Sequence, residues 1–182
     1  MRRYRFPQRY RDIAARCRVP GGFLLATAFA YFSRPSVVSL AAGLPVSVLG
    51  LLLRGWAAGH LAKDRQLATS GPYAYLRNPL YLGSLLVAAG LGIASRSIPL
   101  GVLFAVVFLF VYLPVIESEE EHLARLFPDF AGYAARVPML WPRFPNASGP
   151  AAFGWKLYFK NEEYQALLGF LAGVALLVWK VW

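Results

Sequence analysis

The chain has 182 residues, of which 58% are apolar and 15% are charged, and its mean hydropathy is +0.46. A soluble domain usually has about 45–50% apolar and about 25% charged residues, so this composition favours a membrane protein over a soluble enzyme. In a chain this apolar, the net charge of +10 indicates cytoplasmic loops beside anionic lipid rather than a nucleic-acid partner. Because Cys17 is the only cysteine, no intrachain disulfide forms, and no Cys/His cluster has the spacing of a zinc site.

Five uncharged segments predict about five transmembrane helices within a single domain that covers residues 1–182. A membrane span needs about 20 predominantly apolar residues, and the third and fourth segments meet that length most clearly. The segments are residues 19–33, 35–53, 78–95, 97–116 and 164–179. The sequence therefore predicts an all-α integral membrane protein, in which the segments between the spans carry the polar side chains that form a pocket.

The basic residues predict the orientation of these spans. Sixteen of the 19 lysines and arginines fall in a basic N-terminal arm, residues 1–18, and in two segments, residues 54–77 and 117–163. All three regions lie on the same side of a five-span topology. Since basic residues mark cytoplasmic loops, the N-terminus and both segments are expected in the cytoplasm and the C-terminus outside. We therefore expect a functional site at the cytoplasmic membrane face.

The first cytoplasmic segment ends in a strong turn signal at Ser70-Gly71-Pro72-Tyr73. Aromatic and polar side chains then crowd around Pro79 at the start of the third span: Tyr73, Tyr75, Arg77, Asn78 and Tyr81. An aromatic belt with an arginine anchor would explain the tyrosines. Asn78 and Pro79 are poor anchors, so a binding site is the alternative interpretation.

The second cytoplasmic segment begins with four clustered carboxylates, Glu117, Glu119, Glu120 and Glu121. Acidic residues contribute little to topology, and clustered anions beside an anionic leaflet are unfavourable unless cations are near. Arg77 and the other basic residues of the first segment are the candidate partners, and a solvated helix face is the alternative.

Apolar residues recur at helical spacing after the carboxylates, at Leu123, Leu126, Phe127, Phe130 and Tyr133. This pattern predicts an amphipathic helix that lies on the membrane surface. The two histidines, His60 and His122, stand alone in the sequence, so polar packing is expected for both and no metal site is predicted.

Two motifs in this part of the chain resemble those of the isoprenylcysteine carboxyl methyltransferase family, which is related to the membrane phospholipid N-methyltransferases. Gly71-Pro72-Tyr73 followed by Arg77-Asn78-Pro79-Leu80-Tyr81 resembles its Gly-Pro-Tyr…Arg-His-Pro-x-Tyr motif. About forty residues later, Glu119-Glu120-x-x-Leu123 and then Phe130-x-x-Tyr133 and Val137-Pro138 resemble its second motif. The resemblance covers residues 54–142, which is half of the chain.

The resemblance implies a methyl transfer from S-adenosylmethionine to a lipophilic small-molecule or lipid-modified acceptor that enters from the bilayer. Arg77 and Glu120 are its candidate catalytic residues, and Arg77 could pair with the cofactor's carboxylate. The candidate cofactor-binding residues are Lys63, Arg65, Gln66, Leu67, Ala68, Tyr73, Asn78, Pro79, Leu80, Tyr81 and Glu119. Tyrosine faces near the sulfonium would add cation–π attraction.

Three positions depart from the family's pattern. Asn78 stands in place of the motif's histidine, which excludes imidazole basicity there, and Pro128 stands where glycine is frequent. Val115 stands where eukaryotic members carry an arginine thought to serve the prenylcysteine carboxylate. The acceptor therefore stays open among an isoprenylated thiol or carboxylate, an aminolipid and another membrane-soluble molecule.

Two other functions compete with methyl transfer. Membrane sterol and steroid reductases have a similar Arg-His-Pro-x-Tyr motif but use NADPH, and a non-catalytic lipid-binding protein would use the loops only as anchors. The Glu119-Glu120-x-x-Leu123 motif and the short chain favour methyl transfer over reduction. The carboxylate cluster argues against simple anchoring. A glycine-rich nucleotide loop after a strand is missing from the sequence, which excludes a soluble Rossmann-type methyltransferase.

Overall fold

The computed structural model of the chain describes residues 6–144 and 152–182, and these residues form helices without any strand. A 3-10 turn, Gly71–Ala74, lies between the second and third helices. The helices are α1 (Gln8–Phe32), α2 (Val37–Ala58), α3 (Pro79–Ser95), α4 (Ile98–Leu126), α5 (Phe130–Arg136), α6 (Trp155–Lys160) and α7 (Tyr164–Val181).

Three of the described helices, α2, α4 and α7, are long and apolar enough to cross a membrane. Two further apolar helical segments, Val19–Phe32 and Pro79–Ser95, are shorter. Many large apolar side chains on these helices are exposed, as expected where lipid replaces water. The predicted all-helical membrane fold is confirmed at this level, whereas the count of five spans stays a prediction.

The apolar helices alternate in direction between two ends of the molecule. At one end, the Arg34 N–H donates to the Ser95 carbonyl at 2.8 Å, and Lys180 Nζ donates to the Ser33 carbonyl at 3.0 Å. The opposite end, called the polar end below, comprises residues 54–78, 117–144 and 152–163. The two cytoplasmic segments predicted from the sequence therefore lie together.

Glycines bring α2 and α3 into unusually close contact. A Cβ atom on Gly43 would lie 2.3 Å from the Gly90 carbonyl oxygen, and one on Gly50 would lie 2.6 Å from that of Gly83. Such close helix pairs rely on small residues, since lipid supplies no hydrophobic driving force between helices. Ser47 adds a hydrogen bond from its hydroxyl to the Val87 carbonyl at 3.0 Å. The resulting antiparallel pair is the base that carries the first motif.

Residues 8–18 of the basic N-terminal arm are part of the first helix, because α1 begins at Gln8 and continues through Pro20, whereas residues 1–5 lie outside the described residues. This part of α1 packs on the polar half of α4. Arg11 Nη2 lies 2.6 Å from a carboxylate oxygen of Glu121, and the Phe6 N–H donates to Glu117 Oε2 at 3.2 Å. The arm thus supplies cations and hydrogen-bond donors to the carboxylate cluster. The sequence had indicated partners for these carboxylates only in the first segment.

The middle of α4 is irregular for a physical reason. Its α-helical parts, Ile98–Val107 and Leu113–Leu126, are joined by a π-helical turn, Phe108–Tyr112. Pro114 has no N–H to offer the carbonyl four residues earlier, that of Phe110. The Tyr10 hydroxyl donates to that carbonyl at 2.8 Å instead. Such π turns are frequent at functional sites.

The predicted amphipathic membrane helix after the carboxylates is wrong in two respects. First, α4 ends at Leu126 and α5 begins only at Phe130, because Pro128 forces an extended backbone on Phe127. Second, Phe130 and Tyr133 are buried in a cluster against Leu67 of the first segment. The apolar face of α5 therefore packs on protein and holds the two segments together.

Candidate active site

A cavity of about 880 Å³, called the polar cavity below, lies at the polar end between the loop after α2, the start of α3 and the second half of α4. This volume falls in the usual range of ligand sites, about 300–1,000 Å³. Eleven of the thirteen predicted site residues line it: Lys63, Gln66, Leu67, Ala68, Tyr73, Arg77, Asn78, Leu80, Tyr81, Glu119 and Glu120. Of the other two, Arg65 is exposed outside the wall and Pro79 is buried as the first residue of α3.

Arg77 and Glu120 form a buried bidentate ion pair between the two motifs. Arg77 Nε lies 2.7 Å from Glu120 Oε1 and Nη2 lies 3.0 Å from Oε2. Arg77 Nη1 also donates to the carbonyls of Ala134 and Val137, at 2.8 and 2.7 Å. The two side chains are only 5% and 3% exposed. Four of the five guanidinium N–H groups are therefore bonded within the protein.

The backbone around Arg77 is joined to the end of the second motif as well. The N–H groups of Arg77 and Asn78 donate to the carbonyls of Pro138 and Met139, at 2.9 and 3.2 Å. The Asn78 side-chain amide donates to Glu120 Oε1 at 3.1 Å. Asn78 thus satisfies the carboxylate as a neutral donor at the position where the related motif has histidine.

This geometry changes the hypothesis for Arg77 and Glu120. Their groups are bonded to each other and to backbone carbonyls, so Arg77 has a single N–H left for a ligand. Fully satisfied, desolvated pairs of this kind fix the arrangement of the elements that carry them. This geometry favours a positioning role for both residues, and the predicted pairing of Arg77 with the cofactor's carboxylate stays a prediction.

Glu119 and Tyr81 form a hydrogen-bonded pair that lines the polar cavity. The Tyr81 hydroxyl donates to Glu119 Oε1 at 2.7 Å, and Tyr81 stacks edge-on against Tyr112, with ring centroids 6.0 Å apart. Glu120, one residue further along α4, is buried, whereas Glu119 is exposed in the polar cavity. The two adjacent glutamates therefore point in different directions, and Glu119 is the one that faces the polar cavity.

Tyr73 is a buried aromatic residue in the wall of the polar cavity. Burial raises its pKa above the ordinary value of 10.0, and the nearby Tyr133, Glu119 and Glu163 raise it further. Burial likewise raises the pKa of Tyr133, whose hydroxyl donates to the Tyr73 carbonyl at 2.8 Å. Both phenols therefore stay neutral at physiological pH, and Tyr73 can act as a hydrogen-bond donor but not as a base.

A second ion pair, which the sequence did not indicate, joins the end of α2 to the start of α7 and is partly buried. Arg54 Nε and Nη2 contact the two carboxylate oxygens of Glu163 at 2.6 and 2.9 Å. Arg54 Nη1 donates to the Leu80 carbonyl at 3.3 Å and to the Ser84 hydroxyl. Each partner ends or begins an apolar segment, and a charge at such a position in a membrane protein is itself a functional signal.

The same region holds the start of α7 against the end of α2. The side-chain amide of Asn161 donates to the carbonyls of Ala58 and Leu61, both at 2.9 Å, and thereby satisfies carbonyls at the C-terminus of α2. The Gly154 N–H donates to the Gly59 carbonyl at 2.9 Å. Residues 152–163 therefore close one side of the polar cavity.

A second cavity of about 490 Å³, called the apolar cavity below, lies among α1, α2, α3, α4 and α7. Its wall is mainly leucine, valine, alanine and phenylalanine. Arg54, Ser84 and Tyr112 line both cavities. The two cavities therefore adjoin, and the Arg54–Glu163 pair lies at their junction.

The described residues contain no group of three or more His, Cys, Asp or Glu side chains that could hold a metal ion. The structure places His60 with its Nδ1 at 2.9 Å from the Trp56 carbonyl and His122 with its Nε2 at 3.3 Å from Asp64. These contacts are the polar packing predicted for both histidines.

Comparison with curated proteins gives three relatives. The chain is 37% identical over 126 residues to the "Cobalt-zinc-cadmium resistance protein CzcN" of Cupriavidus metallidurans, covering 66% of this chain and 57% of that protein. It is 39% identical over 109 residues to the "Nickel-cobalt-cadmium resistance protein NccN" of Alcaligenes xylosoxydans xylosoxydans, covering 57% and 51%. It is 27% identical over 129 residues to the "Protein-S-isoprenylcysteine O-methyltransferase" of Schizosaccharomyces pombe, covering 68% and 55%. The chain thus spans just over half the length of these relatives.

No solved structure matches the chain. Residues 36–129, about half of the chain, match the family described as "Phospholipid methyltransferase". The matched region contains α2, α3 and most of α4, and it includes Arg54, Arg77 and the carboxylate cluster. The chain belongs to the phospholipid methyltransferase family.

Proposed function

We propose that the protein is an integral membrane methyltransferase that moves a methyl group from S-adenosylmethionine to a lipophilic acceptor. One observation carries this proposal: a polar cavity at one end of the helices adjoins an apolar cavity between them, through Arg54, Ser84 and Tyr112. A charged cofactor and a lipophilic acceptor need two such compartments in contact. Membership of a methyltransferase family favours this function over the NADPH-dependent reductase and the lipid-binding protein.

The charged residues of the polar cavity fit the charged groups of the cofactor. Lys63 is exposed at the rim, where its ammonium suits the cofactor's carboxylate. Glu119 suits the amino group or a ribose hydroxyl. The described wall has three cationic side chains and four carboxylates: Arg54, Lys63 and Arg77 against Asp64, Glu119, Glu120 and Glu163. A slightly negative wall favours a sulfonium cation.

The apolar and aromatic residues of the polar cavity fit the rest of the cofactor. The faces of Tyr73 and Tyr81 lie near Glu119, where cation–π attraction would favour a sulfonium. Leu67, Leu123 and Phe130 form an apolar part of the wall that suits an adenine ring. Gln66, Ala68, Asn78 and Leu80 complete the proposed cofactor site, whereas Arg65 and Pro79 would support it from outside the wall.

When bound, S-adenosylmethionine supplies an electrophilic methyl carbon on a sulfonium centre. The protein's contribution is to hold the acceptor atom in line with that carbon and to keep bulk water away, since positioning accounts for much of the acceleration of such reactions. The Arg77–Glu120 pair fixes the start of α3 against α4 for this purpose. Tyr73, neutral and buried, can orient the acceptor by donating a hydrogen bond.

We also propose that five helical segments cross the membrane with the polar end and the N-terminus in the cytoplasm and the C-terminus outside. The alternating directions of α1, α2, α3, α4 and α7 support five crossings. The distribution of basic residues, sixteen of which fall in the N-terminal arm and the two segments, supports the orientation.

The proposal is tested by methyl transfer to lipids. Purified protein in detergent is incubated with S-adenosylmethionine labelled in its methyl group and with a membrane lipid extract, and the label in the organic phase is counted. We expect transfer by the natural protein, at least tenfold less by Glu119→Gln, and unchanged transfer by Glu121→Gln, which lies on the opposite, arm-facing side of α4. Folded protein that transfers label to no lipid fraction would contradict the proposal.

A further inference from the structure

The junction of the two cavities is the place where an acceptor's polar head would meet the cofactor. Arg54, Ser84 and Tyr112 line both cavities there, and Glu163 binds Arg54. An acceptor that lies with its chain in the apolar cavity presents its head to these residues. The charges of these residues therefore determine which polar head groups of an acceptor can bind there. This inference rests on the methyl transfer proposed above.

The apolar cavity has room for one chain. Its floor is formed by Leu91 and Phe104, which pack on the core cluster around Phe29 and Leu100. From Ser84 at the junction to Leu91 at the floor, α3 rises about 10 Å at 1.5 Å per residue. Gly22 of α1 and Gly169 of α7 line the cavity, and the space where their side chains would be is open. This space forms a lateral opening from the cavity to the lipid.

Both arginines near the junction are already paired with a carboxylate. Arg54 is neutralised by both oxygens of Glu163, and Arg77 by both oxygens of Glu120. Glu119 adds a further carboxylate. Like Glu163 and Arg54, it lies close enough to the Tyr73 hydroxyl to influence the pKa of that group. In an environment of reduced dielectric, a carboxylate head placed there would be repelled.

The packing of α3 against α2 accommodates the Arg54–Glu163 pair through a glycine. A Cβ atom on Gly83 would lie 2.5 Å from Arg54 Cγ, so a glycine is needed at that position of α3 to admit the arginine. Val115 of α4 is 4% exposed and packs with Ala14 and Ile116. That position adds no cation to either cavity.

We propose that the acceptor carries a non-anionic nucleophilic head, a thiol, hydroxyl or amine, on a single apolar chain, and that Glu163 sets this selectivity by neutralising Arg54. In the transfer, a lone pair of the head forms the new bond to the methyl carbon. The carbon–sulfur bond breaks with its electron pair on sulfur, and the proton of the head leaves to water in the open polar cavity.

The test uses heads of different charge on one chain. The photoreactive probe is a 12-carbon alcohol that carries a terminal diazirine. Each competitor is added without cofactor: dodecanethiol, dodecylamine or dodecanoic acid. The labelled peptides of α3 and α4 are then quantified. We expect the thiol and the amine to compete at least tenfold better than the acid. In Glu163→Gln, which leaves Arg54 with an uncompensated charge, the acid should gain about tenfold.

The matched control is Glu162→Gln, which makes the same change of charge on the neighbouring exposed residue and should leave the order of competition unchanged. An acid that competes as well as the thiol in the natural protein would overturn the inference, even where Glu163→Gln does not fold. That result would leave methyl transfer itself untouched. Failure of S-adenosylhomocysteine to bind would instead count against the proposed function, because the competition is read without cofactor.

Discussion

The described part of the protein contains two bidentate arginine–glutamate pairs of nearly the same geometry, one buried and one partly buried. Arg77–Glu120 joins the first motif to α4, and its side chains are 5% and 3% exposed. Arg54–Glu163 joins α2 to the start of α7, and its side chains are 22% and 7% exposed. Both pairs are bidentate, so the difference lies in what surrounds them.

The remaining donors of Arg77 go to backbone carbonyls of α5 and the residue after it, which places the pair inside the wall of the polar cavity. The remaining donors of Arg54 go to Leu80 and Ser84, and its guanidinium faces both cavities. The comparison teaches that one pair holds the site together, whereas the other forms part of its surface. Two predictions separate these two roles, and two more concern Glu119 and Tyr133 near the same cavity.

The largest effect is expected for Arg77→Ala. Removing one partner of a buried pair leaves an uncompensated charge on Glu120 and two unsatisfied carbonyls, which costs about 3–5 kcal/mol of the free energy of unfolding. Thermal unfolding in detergent measures this loss. Arg65→Ala, which removes an exposed arginine of the first segment, is the control and should leave the unfolding midpoint unchanged. An Arg77→Ala protein as stable as the natural one would refute the positioning role.

A smaller loss of stability is expected for Glu163→Gln, about 1–3 kcal/mol, because the neighbouring cavities let water reach Arg54. Glu120→Gln should cost more than Glu163→Gln in the same unfolding experiment. The opposite order would show that Arg54–Glu163, and not Arg77–Glu120, is the pair on which the fold depends.

Glu119→Gln should change ligand binding with little change in stability. Its carboxylate faces the polar cavity and accepts a hydrogen bond from Tyr81. Under the proposed function, its replacement removes a charge-assisted bond to the cofactor. We expect the affinity for S-adenosylhomocysteine, measured by titration calorimetry, to fall roughly tenfold, while the unfolding midpoint stays within a few degrees. Unchanged affinity would remove Glu119 from the site.

The smallest effect concerns the buried tyrosines at alkaline pH. Because burial raises the pKa of Tyr133 above its unfolded value of 10.0, its neutral form stabilises the fold fully below pH 10, and that contribution is lost as pH rises further. Tyr133→Phe should therefore be less stable than the natural protein at pH 8, and the gap should narrow by about 1 kcal/mol towards pH 11. Denaturant titrations at both pH values measure the gap, and a constant gap would contradict the buried, neutral phenol.

Much of the helical framework could be predicted from the sequence because uncharged runs of sufficient length have few alternatives in a membrane protein. The predicted segment 78–95 nearly coincides with α3, which begins at Pro79. The N-terminal arm was misjudged because topology explains arginines without any contact, whereas Arg11 is in fact 5% exposed beside Glu121. The helix after α4 was misjudged because an apolar face fits lipid and protein equally well in a sequence pattern.

The candidate site could be predicted in part, since the pairing of a glutamate of the cluster with Arg77 follows from charge and motif order. Which glutamate turns inward depends on the rotation of α4, so the sequence could not separate Glu120 from Glu119. Arg54 and Glu163 are 109 residues apart and belong to no shared motif. Only the packing of α7 on α2 and α3 brings them together, so no local pattern could have indicated their contact.

The most direct test of the proposed function is a calorimetric titration of the purified natural protein with S-adenosylhomocysteine and, in parallel, with NADPH. The account predicts binding of S-adenosylhomocysteine in the micromolar range and no heat of binding for NADPH. Binding of NADPH alone would contradict it and identify the polar cavity as a reductase site.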